Sequence, residues 1–331
     1  MTLPGRSSMA RNESRMLAPF AALLPCGSNI EYSALERAAK ALRVDPTTYQ
    51  SVEGVKYQIT EPTLFRWTIH FGTGRRVEGI VGLFPLDQLI PHEGTTSSLS
   101  RRPRHPVQIR PVMALVNEPL PTLEPTGDGV DFHGIDHQIV TPVQPVSFAP
   151  ERAVIADGHH RVGAAMREGG DPLIMTMIVS ADRTDLGADA FHRVFSHSVS
   201  LPDAIPGCEV NREPPLDSIH AGRMAVVTQD GSIGISVVDD DAPQVLRGLP
   251  AGLAARYVLP GLGFDEADAR YVYDIRRALA AVDEGATAVL LPPSDVSSVM
   301  RMAVDGMVLP PKSTRFGPKP ARGLLMRPLV Q

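Results

Sequence analysis

The densest group of reactive side chains in this sequence is the DGHHR pentapeptide at positions 157–161, which follows the apolar run Ala153–Ala156. It opens a predicted helix that Gly169 and Gly170 end, since glycine readily adopts the left-handed cap conformation. A helix N-terminus presents backbone N–H groups and the positive end of the helix dipole, which together favour an anion. The glycine of the turn lets the backbone approach a ligand, and the imidazoles and the guanidinium add donors for phosphate oxygens. The predicted phosphate-binding residues of this turn are Gly158, His159, His160 and Arg161.

Two residues of the same turn are predicted to take part in chemistry directly. The carboxylate of Asp157 can hold Mg²⁺ or accept a proton from a hydroxyl, and His160 is a second candidate catalytic residue. The plainer alternative is that Asp157 caps the helix while the histidines lie at the surface. A zinc site is a weaker alternative, because adjacent histidines do not match the usual helical ligand spacing and no cysteine is nearby in sequence.

A second candidate group is His92-Glu93-Gly94-Thr95, which follows a predicted buried strand. Glu93 is a candidate general base and a candidate metal ligand. The alternative is a strand-end loop whose charges face water, and the residues by themselves favour that alternative.

A third group is the basic segment at 312–319 (KSTRFGPK), which holds two of the four lysines of the chain. Lysines and hydroxyls in a constrained loop can clamp an anion, and a solvated basic terminus is the alternative that the residues leave open. The predicted anion-binding residues of this segment are Lys312, Ser313, Thr314 and Lys319. We expect the segment to fold back toward the DGHHR turn, because ordered basic loops usually have a partner. A further group, Phe191-His192-Arg193, falls in a predicted helical stretch and fits core and surface positions better than a catalytic role.

Hydrophobic periodicity predicts the elements that position these groups. Strands are expected at 64–71, 79–84, 107–116, 151–156, 172–179 and 286–291, and a hairpin at 222–238 with its turn at Gln229-Asp230-Gly231. Helices are expected at 31–43, 161–168, 265–282 and 294–304. Residues 1–15 are expected to form a disordered leader, 93–106 a mobile loop and 119–129 a second loop.

Composition limits the class of protein. The chain has 331 residues, 43% of them hydrophobic and 21% charged, and a net charge of −5. This acidic balance gives no sign of a nucleic-acid partner, and no run reaches the ~20 apolar residues that a membrane span needs. Two cysteines make no disulfide framework, so a cytoplasmic location is expected. Arginines and an apolar run before Cys26 look like a signal peptide, but Pro19 and Pro25 interrupt that run.

Several stretches resemble the domain-of-unknown-function 1015 family. IADGHHRVGAAM at 155–166 resembles the IADGHHR signature of that family, and MVLPPKSTRFGPKPARGLL at 307–325 resembles its closing segment. The resemblance covers most of the chain, because similar opening, HExT and strand segments are found at 19–25, 82–95 and 107–116.

Through the DGHHR turn, that family resembles the ParB-like superfamily, which includes free L-serine kinases that use ADP or ATP and partition proteins that bind CTP. The resemblance implies that positions 158–161 hold nucleotide phosphates and that Asp157 and the two histidines line the reacting phosphate. It also implies that an upstream glutamate, here Glu93, activates the acceptor hydroxyl. The chain departs from the family pattern at 27–33, at Val162 and at 96–104, near where a substrate would bind.

The expected fold is α+β, with a ParB- and serine-kinase-like mixed sheet and flanking helices at 16–190 and a smaller α+β domain at 191–331. The expected function is a kinase that uses Mg²⁺ and transfers phosphate from ADP or ATP to the hydroxyl of a small metabolite such as free L-serine. A CTP-type regulatory module without turnover and a nucleotide or phosphoester hydrolase are the alternatives. The expected partners are a nucleotide and a small hydroxylated metabolite, with neither nucleic acid nor membrane, and a homodimer is left open.

Overall fold

The structure, a computed structural model, describes residues 16–27, 30–94, 106–183, 185–240 and 242–329. The expected leader at 1–15 and most of the expected loop at 93–106 lie outside these residues.

Contacts divide the chain into two compact units, each assembled from separate stretches of sequence. The first unit comprises the residues up to Ile90, those between Gly94 and Gly187, and those after Gly317. The second unit comprises Pro91–Gly94 and Gly187–Gly317. The sequence predicts a single domain boundary after residue 190. It does not predict that Pro91–Gly94 belongs to the second unit, or that the residues after Gly317 belong to the first unit.

The first unit is built on an eight-stranded mixed sheet with two helices. Besides the eight strands of this sheet, the unit has two separate strand pairs. The strands of the whole unit, in chain order, are β1 (Leu23–Cys26), β2 (Lys56–Ile59), β3 (Leu64–Phe71), β4 (Arg75–Pro85), β5 (Leu89–Ile90), β6 (Val107–Gln108), β7 (Val112–Val116), β8 (Val130–His133), β9 (His137–Val143), β10 (Ala153–Asp157), β11 (Leu173–Ser180) and, near the C-terminus, β20 (Arg327–Pro328). Its helices are α1 (Tyr32–Leu42) and α2 (His159–Glu168), with 3-10 turns at Pro46–Thr48, Leu86–Gln88 and Ala181–Arg183. The strand order in the sheet is β5-β10-β7-β11-β4-β3-β9-β8, while β1 pairs with β2 and β6 pairs with β20.

The direction of the strands explains how the sheet presents the DGHHR turn. Strand β7 lies between β10 and β11, antiparallel to β10 and parallel to β11. Strands β10 and β11 are therefore antiparallel, so the strand–turn–helix–strand segment is not a parallel βαβ unit. One face of the sheet packs against α2, where Val162 and Ala165 join Ala114, Ile155 and Ile178 in a buried apolar core.

The second unit is built on a six-stranded sheet in the order β14-β16-β15-β18-β13-β17, beside a separate β12–β19 pair. Its strands are β12 (Gly187–Ala190), β13 (His192–Phe195), β14 (Cys208–Arg212), β15 (Met224–Thr228), β16 (Gly231–Val237), β17 (Arg270–Val272), β18 (Thr287–Leu290) and β19 (Thr314–Gly317). Its helices are α3 (Pro215–His220), α4 (Pro250–Leu253), a π-helical turn at Ala254–Val258, α5 (Leu259–Gly261), α6 (Ile275–Asp283) and α7 (Val296–Val304), with 3-10 turns at Gln244–Leu246 and Glu266–Asp268.

Both faces of this smaller sheet are covered. Side chains along a strand alternate between the two faces, so Val226 of β15 packs in one buried cluster with Ala251 and Val258 of the 250–261 helical segment. Its neighbour Val227 packs in a second cluster with Ala281 of α6. The α+β class predicted from the sequence is confirmed.

Several predicted elements match the structure closely. The strand at 64–71 has the predicted bounds, and β15 and β16 form the predicted hairpin around Gln229-Asp230-Gly231. None of the described helices is long and apolar enough to cross a membrane.

Three predicted elements are wrong in part. The strand at 107–116 is broken before Val112, because Pro111 cannot donate a ladder hydrogen bond. The helix at 265–282 begins only at Ile275, since residues 270–272 pair with β13 as strand β17. For the same reason the predicted helical stretch around Phe191-His192-Arg193 is instead strand β13.

Candidate functional site

The DGHHR turn lies where strand β10 ends at Asp157 and helix α2 begins at His159. Between them, Gly158 has a φ of 113°, a conformation that residues with a Cβ atom rarely adopt. A Cβ atom at this position would lie 2.9 Å from Nη2 of Arg161 and 3.2 Å from Cγ2 of Val112. The turn therefore requires glycine both for its backbone conformation and for the close approach of Arg161.

The carboxylate of Asp157 is bonded to three cationic side chains. Its Oδ2 accepts from Nη2 of Arg110 at 2.8 Å and from Nη2 of Arg161 at 2.6 Å, and its Oδ1 accepts from Nζ of Lys319 at 2.5 Å. We call these four residues the Asp157 cluster. Three positive charges and one negative charge leave an excess of two positive charges at the start of α2, where the helix dipole is also positive.

The charges of the cluster determine the protonation of its members. Burial by itself would raise the pKa of Asp157, but Arg161, Arg110 and Lys319 outweigh burial and hold that pKa well below its ordinary range. Burial and repulsion from Arg110 lower the pKa of Arg161 to about 10, so its guanidinium stays charged at neutral pH. A carboxylate with so low a pKa is a weak proton acceptor, since an efficient general base has a pKa near the working pH. These properties favour a role for Asp157 in ordering three cations over a role as a base.

The guanidinium of Arg161 is held by the chain that leads into β7. Its Nη1 donates to the carbonyl oxygens of Arg110 at 2.8 Å and of Pro111 at 2.7 Å. Two arginines are therefore kept side by side despite their repulsion. The sequence-based prediction missed Arg110, whose one signal was its position inside the apolar run at 107–116.

A buried amide positions Lys319. Nε2 of Gln138 donates to the carbonyl oxygen of Lys319 at 3.1 Å, and Oε1 of Gln138 accepts from the backbone N–H of Ala321 at 2.9 Å. The same Oε1 accepts from Nε1 of the fully buried Trp67 at 3.0 Å. Gln138 thus connects the β3–β9 strand pair to the segment that carries Lys319. No pattern in the sequence predicts this connection.

In the second unit, Glu93 is bonded to the backbone of the turn at 312–314. Its Oε2 accepts from the N–H groups of Ser313 at 3.1 Å and Thr314 at 3.3 Å. Nε2 of the neighbouring His92 lies 2.6 Å from Oγ1 of Thr314, and both residues are buried. Two segments that the sequence singles out separately therefore form one structure.

Lys312 has an unusual backbone conformation within this structure. Its φ is 60°, which is uncommon for a residue other than glycine. Its Nζ lies 5.4 Å from the centroid of the Phe191 ring, a cation–π distance. Such strain persists only where the surroundings hold it, and the hydrogen bonds from the following two N–H groups to Glu93 supply that restraint.

The predicted site residues fall into two groups, one in each compact unit. The first unit holds Asp157, Gly158, His159, His160, Arg161 and Lys319, and the second holds Glu93, Lys312, Ser313 and Thr314. His159 is buried and His160 is half-buried, both in the first turn of α2. The catalytic and ligand-binding roles of all these residues stay predictions.

Asp157 does not fit a directly bound Mg²⁺ in this arrangement. Mg²⁺ binds carboxylate oxygens at about 2.0–2.1 Å, and both oxygens of Asp157 already accept hydrogen bonds from cations. Within the described part of the chain, the one group of three or more acidic, histidine or cysteine side chains close enough to share a metal ion is Asp131, His133 and His137. The carboxylate of Asp157 is therefore arranged to bind three cationic side chains rather than Mg²⁺.

Comparison with known proteins finds similar solved structures but no matching sequence family. No family model matches the chain, and no curated protein matches it. A free serine kinase mutant in complex with AMP is similar, with 16% identity and a TM-score of 0.43 over 74% of this chain and 92% of that chain. A conserved hypothetical protein from Pyrococcus furiosus has 15% identity and a TM-score of 0.44 over 72% of this chain and 90% of that chain. SbnI with a C-terminal truncation, from Staphylococcus aureus, has 11% identity and a TM-score of 0.45 over 73% of this chain and 84% of that chain. Membership of the domain-of-unknown-function 1015 family stays a prediction from motifs.

Proposed function

We propose that the protein binds a nucleotide through its phosphates at the Asp157 cluster and transfers a phosphate to the hydroxyl of a small metabolite. The observation that carries this proposal is the excess of two positive charges around Asp157 at the N-terminus of α2.

A phosphate group suits this cluster better than a neutral ligand does. The two guanidinium groups present N–H donors in a planar fork that matches phosphate oxygens, and Lys319 adds a point charge. The four side chains keep between 13% and 33% of their surface exposed. A small ligand can therefore reach them, while water screens their charges less than at a fully exposed site.

The same features support phosphoryl transfer as the reaction. This reaction depends on positioning and charge neutralisation more than on covalent chemistry by the protein. In the proposed step, the bond between the terminal phosphorus of ADP or ATP and its bridging oxygen breaks. A new bond forms to the hydroxyl oxygen of the acceptor, whose proton passes to a general base, and AMP or ADP leaves with the bridging oxygen. Arg110, Arg161 and Lys319 would neutralise the phosphate oxygens, and His159 and His160 are the candidate donors to the transferred group.

The class of acceptor and the donor rest on the resemblance of the DGHHR turn to the free serine kinases. A small hydroxylated metabolite such as free L-serine is therefore the acceptor we propose. The assignment of Glu93 as the base that accepts the hydroxyl proton stays a prediction from the resemblance.

The test combines binding and turnover. Untagged protein is incubated with ADP or ATP, Mg²⁺ and a mixture of small hydroxylated metabolites that includes L-serine, and products are read by mass spectrometry. Nucleotide affinity is measured by calorimetry for Lys319→Met and for the control Lys56→Met, an exposed lysine of β2. A hydrogen bond to a charged group contributes about 1.5–3 kcal/mol, so Lys319→Met should weaken affinity at least ten-fold while the control stays within about two-fold.

The outcomes separate the proposal from its alternatives. Nucleotide binding without a phosphorylated product favours a regulatory module, and phosphate release without an acceptor favours a hydrolase. Equal nucleotide affinity of the unaltered protein and of Lys319→Met would contradict a phosphate site at the Asp157 cluster.

A further inference from the structure

A second group of reactive side chains lies on the β8–β9 hairpin, separate from the Asp157 cluster. His133 ends β8 and His137 begins β9, and the two residues are paired across the strands. Asp131 precedes His133 by two residues on the same strand, so its side chain lies on the same face of the sheet. On the next strand, His70 of β3 is paired with His137. Three imidazoles and one carboxylate therefore lie in adjacent positions on three neighbouring strands.

The geometry of these side chains is convergent. Oδ1 of Asp131 lies 2.7 Å from Nε2 of His137 and 3.2 Å from Nε2 of His133. The three candidate ligand atoms all lie within 4.8 Å of one another. Nε2 of His137 is hydrogen-bonded to this carboxylate oxygen, and Nε2 of His133, from the neighbouring strand, lies close to the same oxygen.

The three imidazole rings are stacked on one another. The rings of His133 and His137 are 4.1 Å apart with an interplanar angle of 7°, and those of His70 and His137 are 5.5 Å apart with an angle of 25°. The side chain of His137 is one-third exposed, whereas those of His133 and Asp131 are mostly exposed. The group is accessible from solvent and its central ring is held on both sides.

We propose that Asp131, His133 and His137 bind one divalent transition-metal ion, with Zn²⁺ the first candidate. Two imidazole nitrogens and one carboxylate oxygen match the ligand preference of Zn²⁺ and its neighbours Ni²⁺ and Cu²⁺, whereas Mg²⁺ and Ca²⁺ prefer oxygen ligands alone. His70 acts as a positioning residue for the ring of His137. This proposal does not depend on the proposed function of the Asp157 cluster.

Metal binding requires the exposed side chains to rotate, because the stacked rings of His133 and His137 are nearly parallel. A tetrahedral Zn²⁺ with bonds of about 2.0–2.1 Å places its ligand atoms about 3.3 Å apart. The observed separations of 2.7 and 3.2 Å from Oδ1 of Asp131 are shorter than this by about 0.6 and 0.1 Å. Rotation of the exposed His133 and Asp131 side chains supplies that adjustment. Water or a donor from a binding partner would complete the fourth position.

The test uses the full-length, untagged chain in a Cys26→Ser background, because Cys26 is a free, exposed thiol that would compete for the metal. After removal of metal with a chelator, Zn²⁺ is titrated by calorimetry and Co²⁺ by its visible absorption. His133→Asn and His137→Asn are compared with His220→Asn, an exposed histidine of α3. We expect one ion per chain for the parent and for His220→Asn, and an affinity at least ten-fold lower for His133→Asn and His137→Asn.

A spectroscopic readout separates ligation from a structural effect. The Co²⁺ band of a tetrahedral site should appear in the parent and in His220→Asn and be lost in His133→Asn, whose exposed side chain leaves the hairpin backbone intact. Zn²⁺ should also raise the melting temperature of the parent, because it joins β8 to β9 at the edge of the sheet. The absence of saturable binding by the parent, or parent-like affinity in both His133→Asn and His137→Asn, would overturn the proposal.

Discussion

The absence of a side chain at Gly158 leaves space for the guanidinium of Arg161 beside Asp157. Gly158→Ala places a methyl group 2.9 Å from Nη2 of Arg161 at a φ of 113°. We expect it to destabilise the protein by more than the ~1–2 kcal/mol of a left-handed alanine and to weaken nucleotide binding at least ten-fold. Urea denaturation and calorimetry measure the two effects.

Gly74→Ala is the matched control for this substitution. Gly74 has a φ of 77°, and an added Cβ would meet nothing within 4 Å. It should therefore lose stability through backbone strain alone and keep its nucleotide affinity. Unchanged affinity in Gly158→Ala as well would contradict the requirement for glycine at this position in nucleotide binding.

Glu93 is expected to act on the backbone of the turn at 312–314. Glu93→Ala removes the acceptor for two N–H groups, so hydrogen exchange at Ser313 and Thr314 should accelerate at least ten-fold. Glu93→Gln keeps a side-chain oxygen and should accelerate exchange less. Exchange rates equal to those of the unaltered protein in Glu93→Ala would show that other contacts hold the turn.

At the level of single residues, side-chain type revealed only part of the Asp157 cluster. Asp157, Arg161 and Lys319 were predictable because each lies in a short polar motif. Arg110 was not, because it is one charge inside an apolar run whose local pattern predicts a strand. Its role arises from the antiparallel pairing of β7 with β10, which periodicity does not specify.

At the level of elements, the β3–β9 pair acts on the Asp157 cluster through Gln138. Gln138→Ala leaves the buried Nε1 of Trp67 and the N–H of Ala321 without their acceptor. An unsatisfied buried donor costs about 1–3 kcal/mol, so we expect a loss of stability in that range or above. We also expect weaker nucleotide binding, because the backbone of Lys319 loses its anchor.

The fluorescence of Trp67, the single tryptophan of the chain, reports this change directly. Its emission maximum should shift in Gln138→Ala and stay in place in Gln144→Ala, an exposed residue beyond the end of β9. A stable Gln138→Ala protein with unchanged emission and affinity would show that the segment at 319–321 is held by other contacts.

The elements themselves were predictable where one local signal dominates. The alternation of apolar and polar residue types predicted β3, and a turn sequence predicted the hairpin of β15 and β16. The prediction failed at 270–272, where the residues favour helix but pair with β13 as an edge strand. Pairing with a strand some eighty residues earlier overrides local propensity there.

At the scale of the whole molecule, the stretch at 318–331 is expected to be essential to the first unit. It contributes the buried side chains of Ala321, Leu324, Leu325 and Met326. Deletion of 318–331 should abolish the cooperative urea transition of Trp67 fluorescence, while far-UV circular dichroism keeps a transition from the second unit. Leu325→Ala in the full chain should only shift the Trp67 midpoint, since a buried leucine-to-alanine change costs about 2–5 kcal/mol. A cooperative Trp67 transition in the deleted chain would show that the first unit folds without this stretch.

The interrupted sequence of the first unit also sets an order of events during translation. Arg110, Asp157 and Arg161 leave the ribosome before residues 187–317 of the second unit are made, and Lys319 emerges only after them. At about 5–20 residues per second, the nascent chain holds one carboxylate and two arginines for roughly ten to thirty seconds before their third cation is synthesised. The side chain of Gln138 lacks two of its hydrogen-bond partners for about the same interval, because these partners are the backbone groups of Lys319 and Ala321. The nascent protein therefore acquires its complete charge cluster late in synthesis, directly after the last strand of the second unit.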